Sequence, residues 1–436
     1  MPSYVPNTDA DRSAMLTALG LPSVDDLFSD IPASLRDVSL DLPKPLSELE
    51  LQRELAALAA KNLAVDAMPS FLGAGSYRHF IPSVVGHLTG RSEFSTAYTP
   101  YQPEISQGTL QTIFEFQTMM CELTEMEVAN SGMYDGATSL AEAALMACRV
   151  TGRSRIATIS TVNPRWRDVV ATYFQGQPIT QDAPAPGQVT LSQDHACLIA
   201  QYPDFFGGIE DLSGYAAAAH AVGALFVVAV NPTALGMLMP PGGFGADIVV
   251  AEGQPLGQST VFGGPYVGVF CCREQYVRQM PGRIVGRTLD GQGRTGYVLT
   301  LQAREQHIRR ERATSNICTS EALVALAATI YLSWMGPQGL REVADLCYHK
   351  AHYLARRLAA LPGFDLVNRG EFFHEFVVQT PIAPSEINRR LLAAGIMGGL
   401  DVSDQAPNGW LLCCTEVSTK DEMDRLVAEL ERIAHD

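Results

Sequence analysis

The feature that most restricts the fold of this chain is a set of short, nearly unbroken apolar runs in its middle. LFVVAV at 225–230, DIVVA at 247–251 and YVGVFC at 266–271 show almost no polar alternation. Each therefore reads as a strand buried on both faces. Helical periodicity fills 108–123, 137–151 and an Ala-rich 212–221, with further strands expected at 155–159 and 197–201. Apolar strands separated by helices predict an α/β fold with a mainly parallel central sheet covered by helices. The tail has a different pattern. Helices at 320–334 and 338–361 flank Gly336-Pro337, and strand-like 364–367, 375–379 and 410–414 then alternate with helices at 384–394 and 420–434. That predicts a smaller C-terminal α+β lobe. Residues 1–45 are rich in Pro and Asp, with Asp9, Asp25 and Asp30 read as cap or turn residues, and 46–63 is helical with Ser47 as its N-cap. The expected division is an N-terminal arm and helix (1–65), a large α/β domain (66–335) and a small C-terminal domain (336–436).

Composition narrows the function. Aspartate and glutamate number 47 against 31 lysines and arginines, a formal net charge of -16. Such a surface repels phosphate backbones and anionic lipid, so neither nucleic acid nor membrane is an expected partner. MPSYVPNTDADRSAML at the N-terminus has neither the basic flank nor the apolar core of a signal peptide. The most apolar stretch, 215–230, contains His220 and Gly223 and is shorter than the ~20 residues of a membrane span. A cytoplasmic location is expected. The nine cysteines form no CxxC pair, which suits a reducing compartment, and the adjacent pairs Cys271-Cys272 and Cys413-Cys414 read as core filling rather than redox centres. The lysines are the sharpest constraint on chemistry. There are four, Lys44, Lys61, Lys350 and Lys420, so no lysine amine is available between 61 and 350.

GQGRTG at 291–296 matches GxGxxG letter for letter. A dinucleotide fingerprint needs a strand before it and a helix opening at it. Here strand-like 297–301 follows, so the segment reads as a flexible loop. His349 and His352 lie one helical turn apart, but two ligands do not make a metal site, and no metal is expected. NSGMYDGATS at 130–139 is more informative, because it opens directly into a helix. Ser131, Gly132, Met133, Tyr134, Asp135 and Gly136 form either a phosphate-type loop, with free N–H groups and a positive dipole end, or an ordinary capped helix start.

Strand 225–230 runs into NPTALG at 231–236, and strand 247–251 into EGQPLG at 252–257. Ligands of open α/β sheets bind at such strand ends. A phosphate-type loop, a polar residue after one strand and a Gly-rich loop after the next follow the order of parts in fold-type-I pyridoxal-phosphate enzymes, which this chain resembles. In those enzymes an Asp at the first place pairs with the pyridine nitrogen and a Lys at the second condenses with the aldehyde. This chain departs at both places. Asn231 stands at the Asp place, and Gln254 or Pro255 stands near the Lys place. An amide cannot balance a pyridinium as a carboxylate does, and neither Gln nor Pro has an amine. Asn231 and Gln254 are degenerate cofactor positions.

Four longer stretches resemble signatures of the glycine cleavage system P-protein family (glycine dehydrogenase, decarboxylating). They are FLGAGSYRHFIP at 71–82, TAYTPYQPEISQGTL at 96–110, MYDGAT at 133–138 and REQHIRRERATSNICT at 304–319. The resemblance covers nearly the whole chain. Its length and its missing lysine resemble subunit 1, the N-terminal-half type of the split form, whose homologous second subunit carries the lysine and the pyridoxal phosphate.

The resemblance implies an enzyme built as a hetero-oligomer, with two copies of each subunit. With its partner, the chain would decarboxylate glycine on pyridoxal phosphate and pass the aminomethyl group to the lipoyl arm of H protein. The cofactor would be carried by the partner subunit, with none covalently bound to this chain. Candidates for lining the shared site are Tyr98, Tyr101, Gln102 and Glu104, in a loop that either faces an interface or packs internally. Ser76, Tyr77 and His79 form a second group, in which His79 either moves a proton or is structural. Thr314, Ser315, Asn316, Cys318 and Thr319 form a third, which either meets a phosphate from the partner or caps the helix after it. Arg304, Arg309, Arg310 and Arg312 fit anion contact or ion pairs with the partner equally well. No catalytic acid or base is assigned here. The rival readings are an independent pyridoxal-phosphate enzyme using an unusual lysine, a structural or regulatory subunit with a vestigial pocket, and a homo-oligomeric binding protein.

Overall fold

A computed structural model describes residues 6–36, 39–317, 320–368 and 370–435. It divides into two compact units, Met1–Ala64 and Val65–Asp436. Among its described residues the first unit holds two α-helices, Asp9–Leu19 and Glu48–Ala59. Thr8 closes a capping box with Asp11, and Ser47 does the same with Glu50. The cap of the first helix is thus Thr8 rather than Asp9, which is the first helical residue, where a carboxylate suits the helix dipole.

The second unit is built on a seven-stranded sheet. Its strands are β1 (Val128–Ala129), β2 (Arg155–Thr158), β3 (Thr180–Asp182), β4 (His195–Tyr202), β5 (Leu225–Val230), β6 (Ile248–Glu252) and β7 (Gly268–Cys272), in the order β1-β7-β6-β5-β4-β2-β3. Strands β2 to β6 are parallel. The sequence makes both faces apolar, and the fold uses both. Leu198, Ala200, Phe226, Val228, Val249 and Ala251 enter one core, while their neighbours Ile199, Leu225, Val227, Ala229, Ile248 and Val250 enter the other. The adjacent cysteines Cys271 and Cys272 likewise turn to opposite faces, both fully buried.

Strand β7 runs antiparallel to β6, and β1 antiparallel to β7. A parallel return needs a crossover, usually a helix, but the chain between β6 and β7 forms only turns and loop. Helix Pro164–Tyr173, capped by Asn163, was not legible in the apolar pattern. Strands β8 (Ile284–Leu289) and β9 (Thr295–Thr300) form a separate hairpin. The GxGxxG segment is the turn of that hairpin and the start of β9, held by Asp290 accepting from the Arg294 and Gln292 amides at 2.9 and 2.8 Å.

The tail forms a four-stranded antiparallel sheet, in which β10 (Asp365–Leu366), β11 (Glu375–Gln379), β12 (Leu400–Asp401) and β13 (Gly409–Cys413) take the order β10-β11-β13-β12. Helices Pro384–Ala393 and Lys420–His435 belong to the same region, and Ile387, Leu391, Leu426 and Leu430 bury against Phe376, Trp410 and Leu412. The long helix Ala322–Ala359 breaks at Gly336 (φ 61°, ψ -179°), with Pro337 opening its second half. By length and composition this helix could cross a membrane, which the sequence reading overlooked, but Ala327, Ala328, Tyr331, Ala344 and Leu354 are buried in the protein core.

Candidate functional site

Residues 70–80 form a strap laid across the ends of both larger sheets. Phe71 donates its N–H to Met397 and accepts from Cys413, which ties it to the four-stranded sheet. Gly73 is required there, because a Cβ would stand 2.5 Å from Glu375 Oε1 and 2.7 Å from Cys413 Cβ. Tyr77 is buried and held from both sides. Gln254 accepts from its N–H at 2.9 Å and donates to its carbonyl at 2.8 Å, while its hydroxyl donates to Glu375 Oε2 at 2.7 Å. Ser76 Oγ lies 2.8 Å from the Tyr266 hydroxyl. His79 Nδ1 meets Glu416 Oε2 at 2.7 Å, and the other Glu416 oxygen accepts the Phe80 N–H.

These groups are buried, and their acidities reflect it. Burial pushes Glu375 up to about 7, against the hydrogen bonds from Ala74 and Tyr77. Burial and the Glu375 charge raise the Tyr77 phenol. His374, 4.5 Å from the Tyr77 ring centre, is held well below the usual histidine range by burial and by His79. For Glu416, burial is the largest single effect, but the His79 hydrogen bond and charge and the Phe80 N–H together outweigh it, and its carboxyl is lowered. Cys347 Sγ donates to Glu416 Oε2 at 3.5 Å, so His79, Cys347 and Glu416 bring three possible metal-ligand atoms within 4.8 Å of one another. His352 is engaged elsewhere, its ring stacked on Phe372 at 3.9 Å.

The degenerate cofactor positions both lie beside Tyr77 of the strap. Asn231 follows β5. Its Oδ1 accepts the Thr233 N–H at 2.9 Å, and its Nδ2 lies 3.4 Å from His374 Nε2. Gln254 follows β6 and is wholly buried, with its amide spent on Tyr77 and on the Gln258 carbonyl. The phosphate-type loop is also engaged. The Ser131 N–H goes to Arg283, the Gly132 N–H to Asn130, the Met133 N–H to Gly268 and the Thr138 N–H to Asp135, the N-cap. Gly136 N–H, at the helix start, donates to Glu252 Oε2 at 3.0 Å. The space left among Tyr77, Trp166, Asn231 and Glu252 is about 30 Å³. That admits roughly two water molecules. Pyridoxal phosphate does not fit these residues, on volume, on the amide at 231, and on the missing amine at 254.

The remaining candidates gather elsewhere. Tyr98, 82% exposed, and Tyr134 line a groove of about 670 Å³ with Phe94, Ile113 and Ser320. Gln102 and Glu104 are exposed at a short 3₁₀ turn, Pro103–Ile105. Tyr101 lies under the Arg283 guanidinium, 5.3 Å from its ring centre, and accepts from it at 3.0 Å. Ser315 donates to Glu142 on helix Gly136–Thr151 at 2.7 Å, Thr314 donates its N–H to the Arg304 carbonyl, and Asn316 is exposed. Cys318 and Thr319 lie outside the described residues. Arg309, Arg310 and Arg312 are exposed, whereas Arg304 is buried and caps the Met280, Gly282 and Leu301 carbonyls. Tyr77 and the Tyr98–Tyr134 pair therefore line different cavities. The sequence reading missed Glu252, Glu375, Glu416 and Trp166. Glu252 alone carried a local signal, as a charged residue ending an apolar strand.

A family model described as "Glycine cleavage system P-protein" matches residues 2–430. The "probable glycine dehydrogenase (decarboxylating) subunit 1" of Thermomicrobium roseum is 52% identical over 441 residues, 98% of this chain and 98% of that protein. The crystal structure of a glycine decarboxylase (P-protein) of the glycine cleavage system, in inhibitor-bound form, superposes with a TM-score of 0.93 at 42% identity, over 99% of this chain and 100% of that one. A C-DES structure with glycine covalently linked to its pyridoxal-phosphate cofactor has a TM-score of 0.62 at 16% identity, over 84% of this chain and 97% of that one, and shares the fold alone. The chain thus has the fold expected of it, a fold-type-I transferase-like sheet with smaller antiparallel sheets beside it.

Proposed function

Because the chain belongs to the glycine cleavage system P-protein family, we propose that it is subunit 1 of a glycine dehydrogenase (decarboxylating) and works with a lysine-bearing partner subunit. The holoenzyme decarboxylates glycine with pyridoxal phosphate. In this reading the cofactor is held by the partner, two copies of each subunit assemble in the cytoplasm, and lipoylated H protein receives the aminomethyl group. This chain contributes a surface that completes the partner's site: the loop of Tyr98, Tyr101, Gln102 and Glu104, the Tyr134 side of the groove, and the 314–316 segment.

The observation that carries the reading is Gln254. It follows β6, near where a fold-type-I pyridoxal-phosphate enzyme would carry its lysine, and its amide is fully committed to Tyr77 and Gln258. A chain that keeps the fold and these polar loops but has closed its own pocket suits a subunit that serves a neighbouring site. The test is to purify the chain alone and together with the homologous lysine-bearing subunit, then assay glycine decarboxylation and label with borohydride. Activity in the complex only, with the pyridoxyl label on the partner, supports the proposal. Turnover by the isolated chain, with a stoichiometric label on one of its own four lysines, overturns it.

A further inference from the structure

Arg283 lies outside all four stretches that carry the family resemblance, yet it joins two of them and the loop that leads into a third. Its guanidinium donates to the Tyr101 hydroxyl and lies over that ring. Its Nε stands 3.3 Å from Glu305 Oε2, and His307 Nδ1 lies 3.6 Å from the same oxygen. The His307 ring in turn packs edge-on to Tyr101, with 6.1 Å between ring centres. Four side chains thus close a circuit between the 96–106 loop and the 304–316 segment. The backbone under Arg283 is pinned along its length. Met280 and Gly282 accept from the Arg304 guanidinium, Pro281 from Asn130 Nδ2 at 3.0 Å, and Arg283 from the Ser131 N–H at 2.9 Å. Gly282, at φ 75°, brings the chain in so closely that a Cβ would stand 2.7 Å from Asn130 Nδ2.

This arrangement supplies geometry more than stability. The Arg283 and Glu305 side chains are 6% and 7% exposed. A buried ion pair stabilises a fold only when its remaining donors and acceptors are also satisfied. Here Arg283 Nε makes no aligned hydrogen bond, and Glu305 Oε1 has no partner among the described residues. The loop above the pair is open to solvent, with Tyr101 53% exposed. A fixed base beneath an exposed aromatic loop is what a surface needs if it must meet another site in one geometry.

We propose that Arg283 is a positioning residue for glycine decarboxylation: paired with buried Glu305, it fixes the Tyr101 ring and so sets the 96–106 loop against the 304–316 segment on the face offered to the partner's site. That role rests on the subunit-1 reading and adds to it the residue that shapes the face. Arg283 is buried and acts through Tyr101. A lysine cannot replace it, because a point charge does not hold a carboxylate and a phenol in one planar fork or stack on the ring.

The test uses the full chain with Arg283→Lys or Tyr101→Phe, alone and assembled with the lysine-bearing subunit. Chymotrypsin cuts after aromatic residues, so nicking after residues 98 and 101 of the isolated chain reports opening of the loop. Losing a hydrogen bond to a charged group should raise that nicking about tenfold in either variant, with cleavage elsewhere unchanged. Assembly should persist, and glycine turnover per assembled complex should fall by a similar factor. A purely structural role would instead lower the denaturation midpoint and leave turnover per assembled complex at the wild-type value. That result, or wild-type nicking in folded variants, overturns the positioning role. If Arg283→Lys does not fold, Tyr101→Phe decides on the same two readouts, since its ring is largely exposed. An assembled wild-type pair that does not decarboxylate glycine overturns the subunit reading and with it the role. An active wild-type pair beside unaffected variants overturns the role of Arg283 alone.

Discussion

The hydroxyl of Tyr77 meets the carboxylate of Glu375 at 2.7 Å, and both residues are buried. They are 298 positions apart in the chain. The second Glu375 oxygen takes the N–H of Ala74, a non-glycine residue held at φ 68°. One carboxylate thus fixes the strap and stabilises its strained turn, while Gln254 holds the same tyrosine from the large sheet. Strain of this kind persists only where the surroundings over-determine it.

Replacing Tyr77 with Phe removes the hydroxyl and leaves Glu375 Oε2 without a donor in a buried site. The expected cost is about 1–3 kcal/mol. Chemical denaturation of the isolated chain measures it. An unchanged midpoint would mean that water replaces the hydroxyl at no cost.

Stability should fall as pH rises from about 5 to about 8. Burial raises Glu375 and Asp204 to about 7 and Glu252 to about 8, and lifts Glu142 and Glu321 as well. A raised acid binds its proton more tightly when folded, so its contribution is full below the unfolded pKa and is lost as pH climbs through the folded one. Each such group adds a slope of at most about 1.4 kcal/mol per pH unit within that window. The Glu375→Gln chain should show a shallower fall than wild type in denaturation series run across this range. An identical slope would remove Glu375 from the account.

Two glycines separate close approach from open space. A Cβ on Gly207, at φ 87°, would stand 1.8 Å from the Glu375 carbonyl oxygen, whereas nothing lies within 4 Å of one on Gly214 in helix Ser213–Ala221. Gly207→Ala should cost on the order of 3 kcal/mol or more, and Gly214→Ala should gain about 0.5–1 kcal/mol. Paired thermal melts test both signs.

Ser315 is placed between two roles. Its hydroxyl is the donor to buried Glu142, whose other oxygen has no partner and whose carboxyl burial raises. Ser315→Ala should therefore destabilise the chain by about 1–3 kcal/mol. If stability is unchanged while turnover of the assembled enzyme drops, the hydroxyl serves the partner's site instead.

Restoring a lysine should not restore a cofactor. Gln254→Lys discards the two hydrogen bonds that hold Tyr77 and places an ammonium in a fully buried position. The variant should lose stability and take up no borohydride-reducible pyridoxyl label. Stoichiometric labelling at residue 254 would show that the pocket opens readily.

Strands β2, β4, β5, β6 and β7 were legible because burial on both faces removes polar alternation, as LFVVAV does between 225 and 230, whereas the short strands β1 and β3 were not. The capping box at Ser47 and Glu50 and the stop at Gly336-Pro337 were equally local. The antiparallel return of β7 was not legible, because an apolar strand looks the same in either direction. The site loops were found by resemblance, yet their partners were not: Arg304 reads in sequence as a cation for anion contact or an ion pair with the partner, and is a buried cap for three carbonyls in the fold.

A chemical exclusion follows from the residues alone: with no lysine between 61 and 350, no amine can stand after β6. That needs no geometry, because a missing functional group is missing in every conformation. What fills the space instead is settled only by folding. Gln254 is spent on a residue 177 positions away, and Glu252 on an N–H 116 positions away. Local pattern records whether a side chain will be buried, while its hydrogen-bond partner is chosen by which distant segment the fold brings alongside.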